Sequence, residues 1–471
     1  MNFQISLSEI PDGIRSGNIK VAIIGLGEIG LLLAIQFGKE GASVTGVDID
    51  EQKVSLINRG TCPIDHLAEA FSRLRGHSNL QATSDATRAV ESSHIHILCL
   101  PTPLDKDRLP DLSAILTATK AVGRGLKKGD LVILESSVYP GVTNRIVRNS
   151  LEESSGLRAG EDFRLAYCFE RIDPGNTEHR LDNTPKIVGA VDEDSANAAV
   201  AVYGVVVKEP VIKVGNCETA EMVKLVENVY RDVNIAFVNE IALLCQRLNV
   251  DVLEVLDAAS AKWNFIPHLP GPVGGTCIPI NPYYLLESAQ EAGMDLKLVR
   301  QAREVNESMP HHMVELITEA LDNIDKPIKD SKICVLGLAY KGDIADTRGA
   351  PAEEIIRELE RLGAEIICHD PVVTQAPDGI VFESSFEEAV KGSDCVVITS
   401  DHSSFQSLDL RTMSSLAHTP LALVDGRHVV VPREAEALGI TYIGLGRKHD
   451  SRLNIWNSGL KAKGQKGKGS T

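Results

Sequence analysis

The chain has 471 residues, 43% hydrophobic and 24% charged; 48 Lys and Arg against 65 Asp and Glu leave a net charge of −17. This is the composition of a globular protein of several domains. Its acidic balance argues against general binding to nucleic acid or anionic membrane, while leaving room for a local basic pocket. No apolar run reaches the roughly 18 residues of a spanning helix, and the N-terminus (MNFQISLSEIPDGIRSGNIK) lacks a basic start followed by an apolar block. Nine cysteines without CxxC pairs read as reduced thiols. Together these features predict a cytoplasmic location. No Cys/His cluster has metal-ligand spacing, so no metal is expected.

In chain order, residues 1–19 are polar and predict a loose N-terminal arm. Lys20–Ile24 is a short apolar strand followed by a glycine loop, a helical Leu31–Glu40 and a second strand, Ser43–Val47. Further strands are predicted at His96–Leu100, Leu131–Glu135, Arg164–Cys168 and Lys186–Gly189, with helices between them. His94 and His96 fall in or beside a strand and read as structural. Alternation at this spacing predicts a parallel sheet with right-handed crossovers over 20–213.

The pattern changes in 214–324. From Cys217 to Ala259 apolar residues recur at helical spacing (Met222, Leu225, Val229, Val233, Phe237, Ile241, Leu244), which predicts one or two long helices serving as core or as the spine of a homodimer. A glycine-rich loop, Pro270–Pro279, precedes more helix. A second strand–loop–helix unit fills 325–455, with strands at Lys332–Leu336, Glu365–Cys368, Cys395–Thr399, Leu421–Asp425 and Thr441–Ile443. Residues 456–471 end in KAKGQKGKGST and predict a disordered basic tail. The fold class is α/β: two Rossmann-like doubly wound parallel-sheet domains joined by a long helical segment.

Val21–Gly30 reads VAIIGLGEIG. Gly25, Gly27 and Gly30 form GxGxxG directly after a strand, with Glu28 and Ile29 inside the motif. Such a loop allows a tight turn and close backbone approach to a pyrophosphate, which the helix N-terminus favours. Asp48 ends the next strand, roughly 20 residues on. A carboxylate there accepts hydrogen bonds from ribose hydroxyls and repels a 2′-phosphate, so NAD is expected rather than NADP. In the second α/β unit, LGLAYKG departs from GxGxxG, and Lys341 in that loop is placed to meet a phosphate. The asymmetry points to one dinucleotide cofactor and one nucleotide-bearing substrate.

Cys277 lies in PGPVGGTCIP, where glycines permit close ligand approach. Local sequence allows two readings: a nucleophile that adds to an aldehyde, or a buried loop cysteine. Lys224 and Asn228, four apart on a helix, share a face and could stabilise an oxyanion or fix a water. A solvated lysine is the plain alternative. Glu170 follows a strand, where ligands gather in open α/β sheets; there the alternative is a surface ion pair.

Taken in order, the GxGxxG loop, PTPLDKDRLPDLS from Pro101, ESSVYPGVT from Glu135, FERIDPG from Phe169, EMVKLVENVYRDVNIAFVNE from Glu221, GGTCIPINPYYL from Gly274 and GLAYKGDIADTRGAP from Gly337 resemble the UDP-glucose/GDP-mannose dehydrogenase family. The resemblance runs from Lys20 to Arg447. RDVNIA and the form of the cysteine loop are most similar to the branch acting on UDP-N-acetylhexosamines.

The resemblance implies a four-electron oxidation of a sugar C6 alcohol to the acid, with two NAD reduced per turnover. It implies Cys277 as nucleophile, Glu170 in proton transfer or thioester hydrolysis, and Lys224 and Asn228 holding an oxyanion or water. It further implies cofactor contacts from Gly25, Gly27, Glu28, Ile29, Gly30, Asp48, Lys53, Pro101, Thr102, Ser137 and Arg348. Substrate contacts are implied from Glu170, Lys224, Asn228, Gly274, Lys341 and Arg427.

The sequence also departs from the family pattern. Asn281 stands where the family has Asp four residues after the cysteine, and asparagine can orient water but cannot take its proton, a service commonly worth about 10²–10⁴-fold. Thr276, Ser137, Phe169, Gly349 and Ala350 are lesser departures. Besides the full 6-dehydrogenase, two alternatives therefore stand: an altered enzyme that stalls or takes an unusual nucleotide sugar, and a non-catalytic nucleotide-sugar-binding homologue.

Overall fold

The computed structural model describes residues 6–74, 79–173, 175–176, 178–458 and 460. The chain divides into two compact units, Met1–Glu227 with Tyr283–Met294, and Asn228–Pro282 with Asp295–Thr471.

The first unit is built on strands β1 (Val21–Ile24), β2 (Ser43–Val47), β3 (Asn79–Thr83), β4 (Ile95–Leu98), β5 (Leu131–Leu134), β6 (Arg164–Cys168), β7 (Lys186–Ala190) and β8 (Val211–Lys213), in the order β3-β2-β1-β4-β5-β6-β7-β8. The order from β3 to β6 is that of a dinucleotide-binding sheet. Strands β1, β4 and β5 are wholly buried. Helices cover both faces of such a sheet, so its central strands are continuous apolar runs.

Two expectations need correction here. The sheet is not wholly parallel, because β7 runs antiparallel to β6. Residues 169–185 between them hold only the short 3₁₀ turn Leu181–Asn183 among the described residues, and without a crossover helix the chain returns alongside itself. The described part of the arm, from residue 6, is not loose either; residues 1–5 lie outside the described residues. Residues Ile10–Arg15 form a helix whose Ile10 and Ile14, with Ile19 beyond it, are buried in the core of this unit. The polar composition of the segment masks three well-spaced isoleucines.

The second unit has strands β9 (Lys332–Leu336), β10 (Glu365–His369), β11 (Cys395–Ile398), β12 (Ala422–Asp425) and β13 (Thr441–Gly444), all parallel, in the order β10-β9-β11-β12-β13. The helical stretch 214–324 forms no core of its own. Val238, Ala242 and Cys245 of the helix Cys217–Leu248 join Met309, Met313 and Ile317 of the helix Lys297–Asp322 in one cluster with β9, β11 and β12. Ile455 and Leu460 are buried in that same cluster, so the start of the expected tail is folded; residues 461–471 lie outside the described residues.

A buried ion pair ties the helix Val252–Ala259 to the end of this sheet. Asp251 caps that helix through its side chain and meets Arg447 Nε at 2.9 Å. Burial pushes the Asp251 carboxyl up, but Arg447 outweighs it, and the group titrates below its usual 3.8. A depressed carboxylate gives stability that is present above the unfolded value and is lost as pH falls through the folded one. Arg447→Met leaves the carboxylate buried and unpaired. It is expected to cost about 3–5 kcal/mol in denaturant unfolding near pH 7. The deficit should shrink as pH falls through the folded value of this carboxyl, below the usual 3.8. A deficit independent of pH would contradict this account.

Candidate active site

In the first unit, β1 delivers Gly25 into a positive-φ turn (φ +95°), where a Cβ would lie 2.2 Å from the Cys99 carbonyl oxygen. A Cβ on Gly30 would lie 1.8 Å from the Gly25 carbonyl oxygen, whereas one on Gly27 would meet nothing within 4 Å. Two glycines therefore serve packing, and the middle one leaves open space at the N-cap of the helix Glu28–Lys39. Glu28 meets His66 at 3.3 Å, and Ile29 packs on the core.

Asp48, just past β2, accepts from Leu26 N (2.9 Å), Asp50 N (3.0 Å) and Lys53 Nζ (2.9 Å). Burial raises its carboxyl, and these three donors more than offset that, holding it below the usual value. A carboxylate has about four acceptor sites, so one remains for a ribose hydroxyl. The open cradle, the helix N-terminus and this acceptor fit NAD. Thr102, following Pro101, donates to the Ser137 carbonyl at 2.9 Å, and its own carbonyl accepts from Tyr284. Replacing Asp48 with alanine should weaken NAD about 10- to 100-fold, the worth of hydrogen bonds to a charged group, and reduce the preference over NADP. An unchanged ratio of NAD to NADP turnover would remove Asp48 from cofactor choice.

Glu170 sits two residues past β6 and is 7% exposed, so it is no surface ion pair. Its Oε1 accepts from the backbone N–H groups of Arg171 (2.7 Å) and Ile172 (2.9 Å), and its Oε2 lies 2.9 Å from Lys186 Nζ. Its main-chain carbonyl accepts from Lys224 Nζ at 2.7 Å, and that ammonium stands 5.4 Å from the Phe169 ring centre. Lys224 is thus a half-buried, oriented cation rather than a solvated one. Arg171 is ion-paired with Glu227 at 2.7 Å.

In the second unit, Asn228 Nδ2 donates to Asn281 Oδ1 at 2.7 Å, and Asn281 is 2% exposed. Cys277 lies one turn earlier, its carbonyl accepting from Asn281 N at 3.0 Å. All nine cysteines are described, and Cys277 is the exposed one; the others are buried or half-buried. The buried-cysteine reading is thereby excluded.

The loop carrying this thiol is tightly held within its unit. A Cβ on Gly274 would press Pro351 Cδ at 2.5 Å, and Gly275 lies against the Tyr340 ring with φ +89°. Arg427 reaches the Pro272 carbonyl at 3.4 Å and Asp401 at 3.1 Å. Lys341 is half-buried in the loop after β9. Arg348, expected beside the cofactor, belongs to the second unit and makes a two-pronged pair with Asp346 at 2.9 and 2.6 Å.

The comparisons with known proteins identify the chain. Three family models cover it in order: the NAD binding domain of the UDP-glucose/GDP-mannose dehydrogenase family at residues 19–207, its central domain at 218–308 and its UDP binding domain at 334–432. The chain belongs to the UDP-glucose/GDP-mannose dehydrogenase family. It is 37% identical to a UDP-N-acetyl-D-mannosamine dehydrogenase of Pyrococcus horikoshii, over 91% of this chain and 99% of that protein. It is 32% identical to a UDP-N-acetyl-D-glucosamine 6-dehydrogenase of Pseudomonas aeruginosa, over 88% and 97%. The solved UDP-D-ManNAc dehydrogenase of Pyrococcus horikoshii superposes with a TM-score of 0.84 at 36% identity, covering 91% of this chain and 99% of that one. The chain is accordingly an NAD-dependent oxidoreductase.

The family's UDP binding domain falls on the second unit, whose loop differs from GxGxxG in an instructive way. GLAYKG repeats GLGEIG with Ala339 for the middle glycine, and Gly337 keeps the positive φ (+104°) of Gly25. Asp370 follows β10 as Asp48 follows β2, but it accepts from Leu338 N (2.7 Å), Ala339 N (3.0 Å), Val372 N (2.9 Å), Val373 N (2.9 Å) and His402 Nε2 (3.1 Å). His402 Nδ1 takes the Asp343 N–H at 3.0 Å, which makes Nε2 the protonated nitrogen. Asp370 is fully buried and saturated. No helix starts within this loop; the next begins at Pro351.

Sequence reasoning missed a second group. Asn239 bonds both backbone groups of Gly271 (2.7 and 3.2 Å) and Asn306 (2.9 Å), which donates to Asp232 (2.8 Å), itself paired with Arg303 at 2.6 Å. This buried network anchors the start of the cysteine loop. Polar residues on otherwise apolar helix faces were its available signal.

Proposed function

We propose that the protein is a nucleotide-sugar 6-dehydrogenase that oxidises the C6 alcohol of a UDP-N-acetylhexosamine to the uronic acid through a covalent intermediate on Cys277. The observation that carries this reading is the exposed thiol. Of nine cysteines this one is open to a ligand, in a glycine loop held within the unit that bears Lys341 and Arg427. NAD supplies the hydride acceptor for both oxidations.

Gly25, Gly27, Gly30 and Asp48 hold the cofactor, with Lys53, Thr102 and Ser137 beside it. Lys341 and Arg427 bind the diphosphate, Lys as a point charge and Arg as a fork. The Cys277 thiol adds to the aldehyde carbon, its proton passing to the carbonyl oxygen, to give a thiohemiacetal whose oxidation leaves a thioester. Lys224 and Asn228 stabilise the oxygen that carries negative charge in these steps. In hydrolysis, water adds at the thioester carbon, its proton goes to the Glu170 carboxylate, and the carbon–sulfur bond breaks to restore the cysteine. Asn281, fixed by Asn228, orients that water.

The relatives named above divide between mannosamine and glucosamine, so a panel of UDP-N-acetylhexosamines and UDP-glucose with NAD is the direct test. Two NADH per UDP-N-acetylhexosamine consumed is expected. Binding of both ligands without NADH would establish the non-catalytic alternative instead. Asn281 favours one second reading, an enzyme slow to hydrolyse its thioester. In that case intact-mass spectrometry shows a sugar adduct on Cys277 accumulating before free acid.

The working form is a homodimer through the long helix. Tyr230, Phe237, Leu244 and Leu248 are exposed on it at heptad-like spacing, and Trp263 nearby in the chain is 91% exposed. A monomeric mass in solution overturns this. Among the described residues no helix is long and apolar enough to cross a membrane, which supports a cytoplasmic location.

A further inference from the structure

Behind Glu170 lie three buried side chains to which the roles above give no task. Lys186 opens β7, a strand buried along its whole length, and its side chain is 3% exposed. Its ammonium touches the Glu135 carboxylate, stands 2.9 Å from Glu170 Oε2 and sits 4.7 Å from the Tyr203 ring centre. The Tyr203 hydroxyl donates to the other Glu135 oxygen at 2.5 Å.

A buried ammonium costs several kcal/mol unless it is paired, and one carboxylate suffices to pair it. Here there are two, so the cluster carries an excess negative charge that packing alone does not require. Burial pushes the Glu135 carboxyl up against the pull of Lys186, and the two carboxylates overcome burial to hold Lys186 firmly protonated. Glu135 and Tyr203 form a cradle that aims this ammonium at Glu170. Glu170 then passes the constraint on, through the N–H groups of Arg171 and Ile172 on its Oε1 and through its carbonyl on Lys224.

The thiols of Cys99 and Cys168 are kept neutral by burial, and Arg171 is matched by Glu227. Lys224 faces the carbonyl, on the main chain side.

We propose that Lys186 is a positioning residue of the reaction centre: it holds Glu170 as an oriented carboxylate and, through the Glu170 main chain, sets the place of the Lys224 ammonium. This rests on the reading of Glu170 and Lys224 given under Proposed function. Lys186 touches no reacting atom in that scheme.

The test uses the full-length enzyme with NAD and its best UDP-sugar, following kcat against pH and NAD affinity by fluorescence. Lys186→Met should leave NAD affinity unchanged and lower kcat about tenfold or more. Removing a cation beside Glu170 favours its protonated form, so the acidic limb of the kcat profile should move to higher pH by about one unit or more. Lys186→Arg, which keeps the charge, should restore the limb. Lys186→Met leaves Glu135 without its cation, so the double variant Lys186→Met/Glu135→Gln, which keeps the Tyr203 bond, gives the kcat reading if the single variant does not fold; it removes one charge of each sign beside Glu170, so the limb is read in Lys186→Met alone.

Wild-type kcat in either variant, or an unmoved limb in Lys186→Met, with Glu170→Gln impaired, overturns the role of Lys186 alone. Wild-type turnover in Glu170→Gln overturns the role of Glu170, and that of Lys186 with it.

Discussion

With Cys277 replaced by serine, formation of the uronic acid is expected to fall by about 10⁴-fold or more, as when other covalent enzymes lose their nucleophile. Sulfur is intrinsically the stronger nucleophile, whereas a serine hydroxyl needs a base to activate it. Cys277 lies in an exposed turn before the helix Asn281–Glu291, so the substitution buries nothing and strains nothing. Stability and NAD binding should therefore be unchanged, which separates chemistry from folding. Acid production by the serine variant at a rate near that of the parent would remove the covalent step from the mechanism.

The second large effect is a gain. Asn281→Asp should raise the steady-state rate by up to about 10²-fold, if hydrolysis of the thioester limits turnover as the amide implies. The local geometry accepts the change. Asn281 Oδ1 already takes the Asn228 N–H at 2.7 Å, and an aspartate oxygen can take it equally. The residue is the first of its helix, where a negative charge is favoured by about 0.3–1 kcal/mol. Single-turnover acid release, followed by quenched-flow sampling, isolates the step. A variant that folds and binds NAD but releases acid no faster shows that the amide does not limit the rate.

Strands buried on both faces were plain in the sequence, because they are unbroken apolar runs: β1, β4 and β5 in the first unit, β9, β11 and β12 in the second. The two strands missed, β3 and β8, are the edges of the first sheet. NLQAT and VIK carry polar or exposed residues, with Ile212 at 45% exposure, so neither reads as an apolar run. The direction of β7 was hidden for a different reason. It depends on whether residues 169–185 can form a crossover helix, which strand composition does not encode.

Among site residues, the glycine loop, Asp48 and the exposed loop cysteine were legible because their chemistry is local. Lys186, Glu135 and the Asn239 network were not. Each draws its meaning from a partner distant in the chain, as Lys186 does from Glu135 across two strands of the sheet. Lys186 left one trace, a charge at the head of an otherwise apolar strand, KIVGA.

The saturation of Asp370 bears on how one architecture, present twice in this chain, serves two nucleotides without confusion. Both halves turn over the same glycine and fasten the loop with the same carboxylate bond, Leu26 to Asp48 and Leu338 to Asp370. Only the first keeps a vacant lone pair and a helix start behind it. Mis-loading of NAD into the second half is thus forestalled by its own main chain and by His402, before any ligand arrives. Restoring glycine at Ala339 alone would clear room for a pyrophosphate yet supply no ribose acceptor, because Asp370 stays fully bonded.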